Sequence, residues 1–156
     1  MSRTIQEFKF RGRRNLVGLL APLLAEAFVQ TWRRGEFDAL VAIPLHPKRR
    51  RQRGFNQAAL LTRNLSRLIA IPWCEGALRR VRDTAPQVGL SDSERLRNLH
   101  AAFECGDRAL VAGKRLLLID DVMTTGATLA SAAQALISAG ATRVCALTLA
   151  RAVPNL

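Results

Sequence analysis

The chain has 156 residues, of which 49% are hydrophobic and only 5% aromatic, which suits one small domain with an aliphatic core. Its net charge is +12, and residues 1–100 hold 19 of the 24 basic and 8 of the 12 acidic residues. This charge favours polyanions, either nucleic acid or a highly phosphorylated small molecule. Three widely spaced cysteines without a C-x-x-C pair exclude a disulfide framework and a structural zinc site.

The first predicted element is an amphipathic helix. Its apolar residues recur at helical spacing and are Leu16, Leu19, Leu20, Leu23, Leu24 and Phe28. Arg11, Arg13 and Arg14 precede this stretch and imitate a secretory signal. Because Glu26 breaks the stretch, which is also too short to cross a bilayer, we expect a helix of the domain and no membrane span.

A short apolar strand over residues 39–43 precedes Pro44 and a strongly basic loop. The loop residues that would contact an anion are Leu45, His46, Lys48, Arg49, Arg50, Arg51 and Arg53. Ligands bind where the strands of a parallel sheet end, and this charge suits a pyrophosphate. A solvated loop and a contact with nucleic acid are the alternative interpretations.

A helix is predicted after Gly54. Its apolar face comprises Leu60, Leu61, Leu65, Leu68 and Ile69. Arg63 and Arg67 fall on the opposite side. Residues 82–99 then lack periodicity until Ser91 and Glu94, whose spacing is that of a capping box and predicts a short helix.

The most informative segment is Leu116 to Thr128. Leu116 to Ile119 form an apolar run typical of a central strand buried on both faces. Beyond it come Asp120, Asp121, Val122, Met123, Thr124, Thr125, Gly126, Ala127 and Thr128, and then an alanine-rich helix that Gly140 can cap. Threonine hydroxyls and the helix N-terminus suit a phosphate, whereas the two carboxylates suit ribose hydroxyls, with a divalent cation nearby.

Two competing phosphate motifs are absent. A Walker loop around Gly113 and Lys114 fails because Arg108 and Arg115 occupy the positions of its other glycine and its hydroxyl residue. No G-x-G-x-x-G occurs either.

The strand, acidic pair and Thr-Thr-Gly turn resemble the fingerprint of type I phosphoribosyltransferases, which bind phosphoribosyl pyrophosphate (PRPP). The fold this implies is α/β, with three layers around a central, mostly parallel sheet in a single domain. By this resemblance Asp120 and Asp121 bind the ribose, and residues 120–128 together hold the ribose 5-phosphate. Mg²⁺ would arrive with PRPP, and Asp120 and Asp121 are its candidate protein ligands.

The basic loop followed by Arg53-Gly54-Phe55-Asn56-Gln57 narrows the resemblance to the ComF family. The opening segment Phe8–Gly12 is similar to that family, as is the middle segment with Arg80, Thr84, Gln87, Arg95, Asn98 and Phe103. ComF-type proteins are associated with DNA uptake in natural transformation. Many begin with a cysteine-rich zinc module, which this sequence lacks, so no zinc is expected. The start of the chain is either naturally short or truncated.

The resemblance implies roles for the remaining residues. Asp120, Asp121 and Arg53 would be catalytic, and the basic loop would bind pyrophosphate. His46 is either a proton donor or a local hydrogen-bonding residue. A lid over the site would carry Arg82, Thr84, Gln87, Arg95 and Asn98.

The predicted function is therefore transfer of ribose 5-phosphate from PRPP to a nitrogen acceptor in the cytoplasm, with pyrophosphate released. The alternative is a non-catalytic module that binds nucleic acid, such as single-stranded DNA, or a DNA-uptake partner. No aromatic cluster for stacking an acceptor base is visible, since Trp32 and Trp73 are far from both loops in sequence. We expect one domain over residues 1–156, with an N-terminal segment (1–35) and a core (36–156), that can form oligomers.

Overall fold

The computed structural model of the protein describes residues 17–82 and 102–152. The elements in chain order are α1 (Val17–Thr31), β1 (Ala39–Ala42), α2 (Pro47–Arg53), α3 (Gln57–Ile69), β2 (Leu78–Arg80), β3 (Phe103–Cys105), a 3-10 turn (Arg108–Leu110), β4 (Arg115–Met123), α4 (Ala127–Ser138) and β5 (Arg143–Arg151). In these residues the main sheet has three parallel strands in the order β1-β4-β5. The predicted α/β fold with a parallel sheet between helices is thus confirmed.

The central strand β4 organises the core. Its residues Leu116 to Ile119 are fully buried, as predicted for a strand covered on both faces. Because side chains alternate along a strand, Leu116 and Leu118 pack on one side and Leu117 and Ile119 on the other. Truncating such a leucine to alanine typically costs about 2–5 kcal/mol. The apolar run therefore supplies two separate hydrophobic clusters at once.

Helix α1 covers one face of the sheet. Its buried residues are Val17, Ala21, Leu24 and Phe28. The predicted helix is confirmed, but its predicted apolar face is too wide, because Leu19 and Leu23 are 71% and 51% exposed. Leu16 lies outside the described residues.

Helix α3 packs beside α1 on the same face. Leu61, Leu65 and Ile69 are buried, and Arg63 and Arg67 are exposed, as predicted. Leu68 was expected in the apolar face, but it is 54% exposed. Leu68 therefore lies outside the buried side of the helix, whose residues are Gln57, Ala58, Leu61, Thr62, Leu65 and Ile69.

The other face of the sheet is covered by α4 and by the antiparallel pair β2–β3. Leu129, Ala132 and Leu136 of α4 share a cluster with Leu118 and Phe103. The alanine-rich helix ends at Ser138, and Gly140 follows it with a positive φ of 102°, as predicted. The many alanine side chains of α4 are small and let this helix lie close to the sheet.

The free side of β1 is extended by a short parallel bridge between Leu40 and Trp73. The Leu40 N–H donates to the Pro72 carbonyl at 2.8 Å, and the Cys74 N–H donates to the Leu40 carbonyl at 3.0 Å. This pairing brings the segment after α3 back to β1, so Trp73 lies beside a strand that precedes it by more than thirty residues.

The starts of β1 and β4 are joined by an ion pair between Asp38 and Arg115. Both the backbone N–H and the Nε–H of Arg115 donate to Asp38 Oδ2, at 2.8 and 3.0 Å, and Nη2 lies 2.6 Å from Oδ1. These hydrogen bonds from Arg115 lower the pKa of Asp38 from 3.8 to about 2.

This ion pair predicts a pH-dependent stability. Because the pKa of Asp38 is lower in the folded chain, its contribution is present above about pH 4 and is lost as the pH falls towards 2. We expect Asp38→Asn to lower the free energy of unfolding at pH 7, measured by urea denaturation. The difference from wild type should disappear between pH 4 and pH 2. A difference that stays constant over this range would contradict the prediction.

Candidate functional site

The two segments singled out in the sequence lie at the same edge of the sheet. β1 and β4 are parallel neighbours with Ala42 paired to Ile119, and the Ile43 N–H donates to the Ile119 carbonyl at 3.0 Å. The basic segment follows β1, and the acidic pair follows Ile119 on β4. The structure therefore brings together residues that are more than sixty positions apart in the sequence.

The acidic pair lies among the last four residues of β4 rather than in the loop beyond the strand. Asp120 is half-buried and Asp121 is 9% exposed, and strand alternation directs their side chains to opposite faces. Asp120 Oδ1 accepts from the Asp121 N–H at 2.9 Å, and Asp121 Oδ1 accepts from the Val122 N–H at 2.8 Å. Each carboxylate is thus oriented by the backbone of the following residue.

The turn after β4 opens directly into α4. Gly126 has a φ of 81°, which L side chains rarely adopt, and Thr125 Oγ1 accepts from the Ala127 N–H at 3.4 Å. The predicted loop Thr124–Thr128 is shorter than expected, because Ala127 and Thr128 belong to the first turn of the helix. N–H groups of a first helical turn have no acceptor within the helix, which makes this end a suitable anion site. Val122 and Met123, also predicted site residues, are half-buried at the end of β4.

The basic segment is a helix, not the predicted loop. α2 begins at Pro47 and ends before Gly54, whose φ of 75° suits the left-handed position after a helix. Lys48, Arg50 and Arg51 are exposed on it. Arg49 and Arg53 are half-buried. The positive charge is therefore carried by a short helix.

Two side chains hold α2 against the end of β1. His46 Nδ1 accepts from the Lys48 N–H at 3.4 Å and so caps the helix, which agrees with the interpretation of His46 as a local hydrogen-bonding residue. Asn56 Nδ2 donates to the Ile43 carbonyl at 3.0 Å. The sequence analysis gave Asn56 no role of its own, and only its place in the Arg-Gly-Phe-Asn-Gln motif pointed to it. Leu45, the residue before His46, is half-buried.

A cleft of about 1160 Å³ adjoins α2 on the side of β1 away from β4. Phe55 and Trp73 both line it. Trp73 is far from the basic segment in sequence but lies near it in space, because the bridge to Leu40 returns it to this edge. Nothing in the local sequence around Trp73 signals that pairing.

The predicted lid falls mostly outside the described residues, which include Arg82, an exposed side chain, but not Thr84, Gln87, Arg95 or Asn98. Within residues 17–82 and 102–152, no group of three or more His, Cys, Asp or Glu side chains could hold a metal ion. Across those same ranges, no helix combines the length and apolarity needed to cross a membrane.

The family model of the phosphoribosyl transferase domain matches residues 56–153. The DNA utilization protein YhgH of Escherichia coli is 37% identical over 147 residues, covering 92% of this chain and 64% of that protein. Competence protein F of Haemophilus influenzae is 36% identical over 156 residues, covering 97% and 68%. Competence protein ComFC of Bacillus subtilis is 35% identical over 152 residues, covering 97% and 60%. The chain thus spans about two thirds of the length of these relatives.

Solved structures support the same fold. The allosteric regulatory enzyme of purine biosynthesis superposes with a TM-score of 0.58 at 20% identity, covering 87% of this chain and 26% of that one. A hypoxanthine phosphoribosyl transferase of Trypanosoma cruzi gives 0.51 at 15% identity, covering 91% and 74%. These similarities concern the fold alone.

The parallel sheet, the family match and the structural neighbours define a protein with a type I phosphoribosyltransferase fold. The chain belongs to the phosphoribosyl transferase domain family and, within it, to the ComF-type proteins, as its relatives YhgH, competence protein F and ComFC show.

The turn at Gly126 generates a prediction about phosphate binding. Gly126→Ala and Gly35→Ala each place a Cβ on a backbone with positive φ, 81° and 86°, so both should lower the unfolding free energy by about 1–2 kcal/mol. Only Gly126→Ala should weaken ribose 5-phosphate binding, by roughly tenfold, since relief of the strain moves the turn before α4. Calorimetric titration and thermal unfolding of both variants test this. Equal binding by the two variants would contradict it.

Proposed function

We propose that this chain binds PRPP together with Mg²⁺ and transfers its ribose 5-phosphate group to a nitrogen acceptor, releasing pyrophosphate. The observation that carries this proposal is the convergence, at one edge of the sheet, of the acidic pair on β4, the turn before α4 and the basic helix α2. PRPP has a neutral ribose between a 5′-phosphate and a pyrophosphate. Its neutral part suits the acidic pair, and its two anionic ends suit the turn before α4 and the basic helix α2.

The 5′-phosphate is assigned to the turn and the first turn of α4. Hydroxyls of Thr124, Thr125 and Thr128 and the N–H groups of the helix start would donate to its oxygens, and the helix dipole favours its charge. Asp120 and Asp121 lie on β4, separated from this turn by Val122 and Met123, and would accept hydrogen bonds from the ribose 2′- and 3′-hydroxyls.

The pyrophosphate is assigned to the end of β1 and to α2. Its negative charge would be balanced by the side chains of His46, Lys48, Arg49, Arg50, Arg51 and Arg53, beside the backbone of Leu45. Guanidinium groups suit this role because they stay protonated and bind phosphate oxygens in pairs. Arg53, half-buried at the end of α2, is the one we assign to the leaving oxygen.

In the transfer step, the bond from ribose C1 to the pyrophosphate oxygen breaks and its electron pair leaves with the pyrophosphate. The lone pair of the acceptor nitrogen forms the new bond to C1, and the proton that the nitrogen then carries passes to solvent. Positive charge develops on the sugar ring, where Asp120 and Asp121 would stabilise it.

Mg²⁺, a hard cation with oxygen ligands, would be held by the pyrophosphate and ribose oxygens of PRPP with the carboxylates of Asp120 and Asp121, and would neutralise the leaving group. Residues 82–99 would exclude water from the ribose as a lid.

The biological setting we assign is the handling of DNA in the cytoplasm. It rests on the names of the relatives, which are a DNA utilization protein and two competence proteins. The second candidate function, a non-catalytic module for nucleic acid or a DNA-uptake partner, is favoured by the net charge of +12.

The acidic pair provides the test of the proposal. We expect saturable binding of PRPP with Mg²⁺ in calorimetry, weakened tenfold or more by Asp121→Asn, since a hydrogen bond to a charged group contributes about 1.5–3 kcal/mol. Asp107→Asn is the matched control, because Asp107 caps the 3-10 turn before β4 by accepting from the Ala109 N–H. The PRPP affinity of the Asp107→Asn variant should equal that of the wild type.

Absence of PRPP binding by the wild type would exclude the proposed enzyme. Saturable binding justifies a screen of nitrogen acceptors, with pyrophosphate release as the measured product.

A further inference from the structure

We propose that Gln57, the first residue of α3, positions the carboxylate of Asp121 for the ribose of PRPP. This role rests on the proposed function, in which Asp121 binds the ribose hydroxyls. Gln57 is 2% exposed, and its Nε2 atom is buried without a hydrogen-bond partner in residues 17–82 and 102–152. Buried amide donors are nearly always hydrogen-bonded in folded proteins. At the edge of a candidate site, an unpaired donor of this kind indicates a functional role.

The amide of Gln57 acts through a neighbouring side chain rather than on a ligand. Its Nε2 atom has almost no exposed surface, so a ligand that enters from solvent does not reach it. Gln57 does not line the cleft of Phe55 and Trp73 either. We therefore assign it a positioning role and no direct contact with PRPP.

Helix α3 starts at the carboxyl edge of the sheet. Asn56 Nδ2 donates to the Ile43 carbonyl at 3.0 Å, directly after the end of β1. The segment after the helix returns to the other end of β1, where the Leu40 N–H donates to the Pro72 carbonyl at 2.8 Å. The helix thus runs antiparallel to β1 and β4, and Gln57 begins it at the edge that holds the acidic pair.

The periods of helix and strand place Gln57 over Asp121. Leu61, one turn after Gln57, is fully buried and shares a hydrophobic cluster with Leu117 and Ile119 of β4. Gln57 lies about 6 Å before Leu61 along the helix axis, towards the carboxyl edge. Asp121 lies roughly 6–7 Å beyond Ile119 on the same face of the sheet, since alternate residues of a strand share a face. Gln57 and Asp121 are therefore the next pair in this row of facing side chains.

A neutral amide suits a carboxylate that must keep its charge. Asp121 Oδ1 accepts from the Val122 N–H at 2.8 Å, and a carboxylate accepts about four hydrogen bonds in total. In the PRPP-bound protein, the Gln57 amide donates to one of the other positions and holds the carboxylate at the angle that the ribose needs. A lysine or arginine in its place would cancel the negative charge that stabilises the sugar ring in the transfer step.

The test replaces the amide by an apolar chain of similar length. We expect Gln57→Met to weaken the binding of PRPP with Mg²⁺ roughly tenfold in calorimetry, since a hydrogen bond to a charged group is lost. The same substitution should leave the urea midpoint of the free protein unchanged or raise it, because it removes a buried unpaired donor. A purely structural role would instead lower the midpoint.

Thr62→Val is the matched control on the same helix. Thr62 is fully buried, and its hydroxyl donates to the Ala58 carbonyl at 2.7 Å. Loss of this satisfied hydrogen bond should lower the urea midpoint. The PRPP affinity of the variant should stay within about twofold of the wild type, because distant sites act independently.

A double-mutant cycle with Asp121→Ala shows whether Gln57 acts through this carboxylate. In the Asp121→Ala background, Gln57→Met should change the PRPP affinity less than about twofold, because the acceptor of the amide is gone. An equal loss in both backgrounds, wild-type affinity of Gln57→Met, or a lowered urea midpoint of that variant would overturn the positioning role alone. Absence of PRPP binding by the wild type would overturn both this role and the proposed function.

Discussion

β1 and β4 run side by side in parallel, and the last bond of their pairing joins the Ile43 N–H to the Ile119 carbonyl. Because β1 ends at this bond and β4 continues only to Met123, the segments that follow the two strands lie at the same edge of the sheet. The buried run Leu116–Ile119 keeps β4 central by filling a hydrophobic cluster on each face. The candidate chemistry at the edge thus depends on packing in the middle of the sheet.

At that edge the opposite charges are kept apart by the backbone. The carboxylates of Asp120 and Asp121 are directed by the N–H groups that follow them, whereas the cations lie on α2, which His46 and Asn56 hold against the end of β1. A ligand that is neutral in its middle and anionic at both ends suits this division. Groups that hydrogen bonds already orient in this way need little rearrangement when charge develops in a reaction.

Much of this edge could be predicted from the sequence, because its signals are local. The apolar run, the acidic pair and Gly126 lie within eleven residues, and strand, turn and helix follow from their order. Pro47 and Gly54 were local signals too, since they mark the start and end of α2, but the density of charge between them favoured a loop. The lid and the residue assignments in the site stay predictions.

Contacts between distant segments could not be predicted in this way. Whether Leu19 or Leu68 is buried depends on how closely two helices approach, which periodicity alone does not determine. The place of Trp73 depends on the return of the chain to Leu40 after α3, and no residue near Trp73 encodes it.

The backbone of Leu40 is engaged on both sides, with Leu117 of β4 as its ladder partner and with Pro72 and Cys74 on the other edge. β1, which is four residues long, therefore lies between β4, the strand with the acidic pair, and the cleft lined by Phe55 and Trp73. A ligand that shifted β1 would change the free energy of the residues on both sides of this strand. Thermodynamic linkage would then require reciprocity: whatever factor a ligand on one side imposes on the affinity for a ligand on the other side, it receives in return.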